Sequence, residues 1–185
     1  MIAPDARLYV IGDIHGRLDL LERVIELVNL DIKQSSGDCL VVTLGDYVDR
    51  GPNSRGVLDC LLKNPFAGRY IALKGNHEAL LEAFLDNPAV ATQWWRLGGL
   101  NTLRSFDISV TRWMTNRNFS RTAAQLRAAL SREHMEFLAS LKTSVIVGRY
   151  FLCHAGVRSG IPLEQQSETD LLWIRDDFLS SRLDF

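Results

Sequence analysis

The sequence predicts an α/β fold, and three observations lead to this prediction. Short apolar runs typical of buried strands lead into glycine-flanked polar turns, and residues at helical spacing follow each turn. This strand–turn–helix unit occurs three times in the first half of the 185-residue chain. A hydrophobic content of 46% and a charged content of 23% are typical of globular chains that bury a core. We therefore expect a single domain over residues 1–185, with a mainly helical lobe at about 88–130.

The first unit lies at the beginning of the chain. Residues 7–11 (RLYVI) have the composition of a strand and lead into the turn GDIHG at 12–16. Apolar residues then recur at helical spacing over residues 18–30. Asp13 and His15 are two positions apart in an extended segment, so their side chains can point to the same side and share one metal ion.

The second unit contains the motif around which the chain is organised, GDYVDRG at 45–51. It follows the apolar run 39–44, which predicts a buried strand. Ligands of open α/β sheets bind beyond the carboxyl ends of the strands, which is where this motif lies. Asp46 is placed to hold a hard cation, Asp49 to orient a base and Arg50 to clamp an anion.

The third unit repeats the pattern after an intervening helix. Residues 70–73 predict a strand that runs into KGNHE at 74–78. This segment opens a further helix and supplies Asn76 and His77. Glu78 lies in the first turn of that helix, where an acidic side chain suits the helix dipole, so we interpret it as structural.

The remainder of the chain predicts a lobe, a helix and a hairpin. Residues 88–130 predict the helical lobe, which either serves packing alone or lies beside the mouth of the site. Its tryptophans are Trp94, Trp95 and Trp113. Ser131 is a suitable N-cap for the next helix. Residues 145–153 predict a β-hairpin that ends at His154, and residues 171–178 predict a short helix.

The net charge limits the classes of partner that we expect, and the N-terminal sequence and the cysteines limit the compartment. The net charge is −1 and the pI about 6.4, so no overall basic field attracts nucleic acid or anionic lipid, and we expect neither as a partner. The N-terminus lacks the segments of a signal peptide, and no apolar run is long enough to cross a bilayer. Three widely spaced cysteines favour reduced thiols over a disulfide or a thiolate metal site. We therefore expect a cytoplasmic protein.

Five side chains at predicted strand ends form a metal-binding set. They are Asp13, His15, Asp46, Asn76 and His154. Oxygen and imidazole ligands without thiolate suit Mn²⁺, Fe or Zn²⁺ better than Ca²⁺. Two neighbouring ions need a bridging ligand, and Asp46 on the central strand is our candidate. Asp13 and His15 would complete one site, and Asn76 and His154 the other. Two such ions generate a bridging hydroxide and stabilise both ends of an in-line displacement at phosphorus.

Phosphoryl chemistry also needs cations for the outer oxygens and a proton for the leaving group. Arg50 offers a bidentate fork, and Lys74 and Arg175 are further candidates for contact with the substrate phosphate. His77 is positioned to donate the proton, with Asp49 holding its imidazole protonated and oriented. Taken singly, such residues are usually caps, turn formers or solvated charges. Their recurrence at several strand ends is what indicates a site.

The motifs GDIHG, GDYVDRG, GNHE at 75–78 and HAG at 154–156 resemble those of the metal-dependent phosphoprotein phosphatase family. This family of serine/threonine phosphatases belongs to the calcineurin-like metallophosphoesterase superfamily, and residues 171–178 resemble its bacterial branch. The resemblance implies a four-layer α/β/β/α sandwich with a dinuclear centre between two sheets, and Mn²⁺ is the metal that we expect from it.

The same resemblance implies a role for each site residue. The five strand-end side chains would be metal ligands, His77 the general acid, Asp49 its partner and Arg50 a phosphate contact. Arg175 resembles a second phosphate-contact arginine. Lys74 stands where many relatives carry arginine, and a lysine keeps the charge but lacks the fork.

One departure from the family pattern concerns the end of the chain. The family supplies another metal-binding histidine from a later HGH- or HGHT-type segment, and none occurs before Phe185. We therefore expect the last strands of one sheet to be missing and the metal site at Asn76 and His154 to be weakly occupied. Tight binding of two metal equivalents in calorimetry would refute this expectation.

Three functions are consistent with these residues. The first is hydrolysis of phosphomonoesters, either phosphoserine and phosphothreonine proteins or small phosphomonoesters. The second is hydrolysis of dinucleoside polyphosphates, although that branch usually lacks the Asp-Arg pair and carries GNHD, whereas this chain has Asp49-Arg50 and Glu78. The third is an inactive binding or regulatory protein that keeps the fold.

Overall fold

The computed structural model describes residues 6–109 and 119–182. Its central element is a parallel sheet in the order β1-β2-β3, formed by β1 (Arg7–Ile11), β2 (Cys39–Thr43) and β3 (Arg69–Ala72). Val41 and Val42 of the middle strand are fully buried, because helices and loops cover both of its faces. The predicted α/β architecture and its three strands are confirmed.

Each strand of this sheet is followed by a helix, as predicted. The helices are α1 (Leu18–Gln34), α2 (Ser54–Leu61) and α3 (Asn76–Asp86). The first one extends four residues beyond the predicted end at Leu30, because Ile32 continues its apolar face against the core. The second starts after Asn53, whose side chain accepts a hydrogen bond from the Gly56 N–H.

The lobe after α3 is helical where it is described. It comprises a 3₁₀ turn (Pro88–Val90), α4 (Ala91–Arg96), α5 (Gly99–Ser105) and α6 (Phe119–Ala129). Residues 110–118, which include Trp113, lie outside the described residues. Trp94 is fully buried and packs on Phe84 of α3, with ring centroids 4.7 Å apart. The lobe is therefore part of the same core as the sheet and its helices.

A second β element and two short helices complete the described chain. Helix α7 (Arg132–Ser140) starts at the predicted cap and leads into the antiparallel hairpin β4 (Ser144–Val147) and β5 (Tyr150–Cys153). After a 3₁₀ turn (Leu163–Gln165) come α8 (Glu168–Trp173) and α9 (Asp176–Leu179).

The single helix predicted over 171–178 is wrong, because the structure has two helices there. Ile174 between them is extended, with φ −57° and ψ 141°. Asp176 and Asp177 then occupy the first turn of the new helix, where acidic side chains stabilise a helix N-terminus.

The hairpin meets the parallel sheet at the carboxyl ends of β2 and β3, through the residues that precede β4 and follow β5. Lys142, between α7 and β4, exchanges backbone hydrogen bonds with Ala72 and Lys74 at the end of β3. His154, which follows β5, contacts the Leu44 carbonyl at the end of β2 through Nδ1 at 3.0 Å. The hairpin thereby brings its terminal histidine to the edge where β1, β2 and β3 end.

Two further expectations concern thiols and membranes. Cys39, Cys60 and Cys153 are free, and Cys39 is buried in β2. Within 6–109 and 119–182, no helix combines the length and apolar character needed to cross a membrane.

Candidate metal centre

The candidate site is built on turns held together by backbone hydrogen bonds. The N–H groups of Ile14 and His15 both donate to the Asp46 carbonyl, at 3.0 and 2.8 Å. The turn after β1 is therefore fixed directly to the turn after β2. Because parallel strands end at a common edge, Asp13, Asp46 and Asn76 converge there from three strands.

Several site residues have left-handed backbones that side-chain-bearing residues rarely adopt. The φ angles are 46° at His15, 56° at Asp46, 71° at Asp49 and 63° at Arg50. Each such conformation costs about 1–3 kcal/mol and persists only where surrounding contacts impose it. The loop 45–51 therefore needs strong anchors, and the structure provides two.

The first anchor is Glu78, whose side chain is completely buried. Its Oε2 accepts hydrogen bonds from the N–H groups of Asp46 and Gly75, at 2.8 and 3.0 Å. Its Oε1 accepts from those of Tyr47 and Val48, at 2.8 and 3.2 Å. Burial and the nearby Asp46 charge raise the pKa of Glu78 to about 7, while these four donors favour its ionised form. Glu78 was predicted to act only on the helix dipole, and its long-range contacts to the loop 45–51 were not predicted.

Replacing Glu78 with glutamine tests the anchor. The amide nitrogen cannot accept a hydrogen bond, so at least one buried backbone N–H loses its acceptor, at a cost of roughly 1–3 kcal/mol each. We expect the free energy of unfolding, measured in urea, to fall by about that amount or more. The matched control is Glu26→Gln on the exposed face of α1, for which we expect a change within about 0.5 kcal/mol. Equal stability of the two variants would contradict the anchoring role.

Two histidines direct Nε2 of the imidazole toward the centre of the site. Nδ1 of His15 lies 2.9 Å from the Val48 carbonyl, and Nδ1 of His154 contacts the Leu44 carbonyl. A carbonyl only accepts, so Nδ1 carries the proton in both rings, and Nε2 of each ring faces the site. Nε2 of His15 is buried without a hydrogen-bond partner among the described residues. This arrangement is the one that metal-binding histidines adopt.

The predicted ligands lie close enough together to hold metal ions. Nε2 of His15 is 3.3 Å from Asp46 and 3.7 Å from Asp13, and Nε2 of His154 is 2.8 Å from the Asn76 amide oxygen. Two groups have ligand atoms within 4.8 Å of one another. These groups are His15, Asp46 and His77, and Asp13, Asp46 and His154. Asp46 belongs to both, which supports the predicted bridging position, and the donor set fits a divalent metal.

His77 lies beside this cluster and is almost fully buried. Its Nδ1 is 2.7 Å from the Asp49 carboxylate, and its Nε2 accepts from the Arg50 guanidinium at 3.1 Å. Burial opposes the charged imidazole, but the hydrogen bond to Asp49 and the charges of Asp46 and Asp49 outweigh it and raise the pKa of His77. The structure therefore brings together the three residues predicted for acid catalysis and phosphate contact.

The second anchor of the loop comes from the helical lobe. Trp94 on α4 and Thr102 on α5 both donate hydrogen bonds to the Asp49 carboxylate, at 2.8 and 2.6 Å. The Gly98 carbonyl accepts from the Arg50 N–H at 3.3 Å, and the Asn101 side chain donates to the Arg50 carbonyl. The lobe thus contacts two of the predicted site residues directly, which favours the interpretation that places it beside the site over packing alone. Neither Trp94 nor Thr102 was assigned a role at the site from the sequence, because no motif links them to Asp49.

The two other predicted phosphate contacts have different partners. Lys74 forms an ion pair with Glu82 on α3, with Nζ and Oε2 2.7 Å apart. Arg175 donates to the carbonyl of its neighbour Ile174 at 2.9 Å. Arg50 is accordingly the better supported of the three predicted cations.

Comparisons with known proteins agree with this geometry. Over 169 residues, or 90% of this chain, the sequence is 29% identical to serine/threonine-protein phosphatase 2 of Escherichia coli K12, covering 66% of that protein. It is 40% identical over 77 residues to the symmetrical bis(5'-nucleosyl)-tetraphosphatase of Legionella pneumophila strain Corby, covering 42% of this chain and 26% of that protein.

A solved structure described as a candidate diadenosine tetraphosphatase has the same fold. Its TM-score is 0.59 at 23% identity, and the alignment covers 95% of this chain and 61% of that chain. This chain therefore spans about two thirds or less of the length of these relatives.

The family assignment rests on nearly the whole chain. Residues 6–184 match the calcineurin-like phosphoesterase family. The metallophosphoesterase fold class expected from the sequence is thereby confirmed. The chain belongs to the calcineurin-like phosphoesterase family.

Proposed function

We propose that this chain hydrolyses phosphomonoesters with the help of two divalent metal ions, and that its substrates are phosphoserine and phosphothreonine proteins. The observation that supports this proposal best is the position of Asp46. It is shared by two clusters of ligand atoms and lies 3.8 Å from Nε2 of His77. A cluster of metal-binding side chains beside a carboxylate–imidazole pair combines the groups that metal-assisted phosphate-ester hydrolysis uses.

In this proposal the ligands are the five strand-end residues of the sequence analysis. They are Asp13, His15, Asp46, Asn76 and His154. When bound, the ions, which we propose to be Mn²⁺, would supply the attacking nucleophile and neutralise charge on the phosphoryl oxygens. Arg50 is the only phosphate-contact candidate in the described part of the chain that also touches His77.

His77 acts as the general acid for the leaving group in this proposal. Its Nε2 accepts a hydrogen bond from Arg50, which is possible only for the neutral ring. Acid catalysis therefore requires Arg50 to turn from Nε2 to the substrate phosphate, so that Nε2 can carry the proton. Asp49 keeps the ring oriented throughout, because its bond is to Nδ1.

A second candidate function is the hydrolysis of dinucleoside polyphosphates. It is favoured by the 40% identity to the Legionella tetraphosphatase over 77 residues. The protein-phosphatase proposal is preferred because its relative aligns with 90% of the chain and because Asp49-Arg50 and Glu78 differ from the usual tetraphosphatase pattern. We place this activity in the cytoplasm on the basis of three free cysteines.

Metal dependence and product identity test the proposal together. We expect metal-stripped protein to release no p-nitrophenol from p-nitrophenyl phosphate and added Mn²⁺ to restore turnover. A phosphoserine peptide should yield inorganic phosphate, whereas ADP from diadenosine tetraphosphate would favour the second candidate. A folded sample without turnover on any of these substrates, even with Mn²⁺, would contradict both and favour an inactive binding protein.

A further inference from the structure

The Asp49 carboxylate is fixed by hydrogen bonds to both of its oxygens. It is fully buried, and both of its oxygens are engaged by neutral donors or by His77. Oδ2 accepts from Nδ1 of His77 at 2.7 Å and from Nε1 of Trp94 at 2.8 Å. Oδ1 accepts from the Thr102 hydroxyl at 2.6 Å. The carboxylate therefore cannot rotate without breaking a buried hydrogen bond.

The hydroxyl groups around Asp49 form a directed chain. A carboxylate only accepts, so the Thr102 proton points to Oδ1 and its oxygen remains an acceptor. That oxygen lies 2.9 Å from the Asp49 N–H and 3.0 Å from the Ser54 hydroxyl. The Asp49 N–H also lies 3.0 Å from the Ser54 oxygen. Both the backbone and the side chain of Asp49 are thus held by one threonine from the lobe.

The turn between α4 and α5 brings these donors to the site. Gly98 has a φ of +114°, and a Cβ there would lie 2.6 Å from the Arg50 nitrogen. A Cβ on Gly99 would lie 2.4 Å from the Trp94 ring. Glycine at position 98 lets the lobe approach the loop 45–51 closely, and glycine at position 99 lets the turn pack against the Trp94 indole.

We propose that Trp94 and Thr102 are positioning residues for the His77 acid, acting through the Asp49 carboxylate. This inference rests on the proposed function, since it concerns the proton that His77 gives to the leaving group. An Asp49 that is free to turn would let the imidazole leave the geometry needed for proton transfer. The lobe is then part of the catalytic apparatus and not only of the core.

The test uses pairs of variants that change one donor and little else. Thr102→Val removes the hydroxyl at nearly constant shape, and the Asp49 N–H still has Ser54 as an acceptor. Thr102→Ser keeps the hydroxyl. Trp94→Phe removes the indole N–H but keeps an aromatic ring. Trp95→Phe is its control, because Nε1 of Trp95 has no hydrogen-bond partner among the described residues.

The readout is the dependence of the rate on the leaving group, measured with Mn²⁺ present. p-Nitrophenoxide leaves without help, whereas phenoxide needs a proton. We expect Thr102→Val and Trp94→Phe to lower kcat for phenyl phosphate roughly 10- to 100-fold, as loss of a supporting hydrogen-bond partner does, with a much smaller loss for p-nitrophenyl phosphate. KM should change little. Thr102→Ser and Trp95→Phe should stay close to wild type on both esters.

Equal losses on the two esters, or a change in KM alone, would show a structural role and overturn the proposal. Wild type without turnover on either ester would refute the proposed function itself, so the two failures are distinguishable. The contact is also measured without catalysis. In ¹H–¹⁵N spectra of the metal-free protein, Asp49→Asn should shift the indole N–H signal of Trp94 and leave that of Trp95 in place. An unmoved Trp94 signal would overturn the proposal whatever the rates.

Discussion

Replacing Asp46 with asparagine is expected to abolish metal-dependent turnover. Asp46 is buried and supplies ligand atoms to both clusters, so its charge is the one most needed to hold two divalent ions together. Metal ions contribute several kcal/mol of transition-state stabilisation, and a loss of about 4 kcal/mol corresponds to roughly a 10³-fold lower kcat/KM. Calorimetric titration with Mn²⁺ should at the same time show little or no binding.

The Asp46→Asn variant is suited to this test because asparagine has the size of aspartate and retains one of its two side-chain oxygens. An asparagine keeps an oxygen at the position of Oδ1, which accepts a hydrogen bond from the backbone N–H of His77 at 3.1 Å. Asp13→Asn is the matched comparison, since Asp13 belongs to one ligand group only and its side chain is 54% exposed. We expect Asp13→Asn to weaken the binding of one Mn²⁺ equivalent and to leave the binding of the other unchanged. Unchanged Mn²⁺ binding by Asp46→Asn would contradict the proposed bridging position.

Replacing His77 with asparagine is the second change with a large expected effect. A positioned general acid contributes about 10²- to 10⁴-fold, so kcat for phenyl phosphate should fall within that range. Mn²⁺ binding should be retained, because the proposed ligands are all still present. A lower kcat with retained Mn²⁺ binding would distinguish His77 from the metal ligands. The distinction matters because His77 has a ring nitrogen within 4.8 Å of the ligand atoms of His15 and Asp46.

Calorimetry of the same variant decides between two roles for His77. Lost Mn²⁺ binding would identify it as a metal ligand and contradict its assignment as the acid. His134→Asn provides a control for removing a buried histidine elsewhere, since His134 contacts Asp59 at 2.8 Å and takes no part in the proposed chemistry. We expect that control to affect stability and to leave kcat for both esters near the wild-type value.

Much of the fold and of the candidate site could be predicted from local patterns. Apolar runs of four to six residues followed by glycine-flanked turns predicted β1, β2 and β3 to within about one residue at each end. Since parallel strands share a carboxyl edge, the turn residues after them had to converge. The break between α8 and α9 was not predicted. Asp176 and Asp177, which follow Arg175, are compatible both with the continuation of one helix and with the start of a second.

The partners of individual site residues could not be predicted in this way. Glu78 accepts from backbone groups about thirty positions earlier in the chain, and a backbone N–H has no residue-specific signature in a sequence. Lys74 is a predicted phosphate contact, and its ion pair with Glu82 of α3 could not be read from the sequence. Both outcomes depend on how a helix packs against a loop.

The sequence by itself determined which chemistry is available at the strand ends: carboxylates, imidazoles and one amide with no thiolate. Tertiary structure alone decided how these groups are held. Thr102 and Trp94 reach Asp49 from 53 and 45 positions further along the chain. The physical reason is that ligand types follow from local residue identity, whereas a buried carboxylate is oriented by whichever donors the packed core brings within hydrogen-bonding distance.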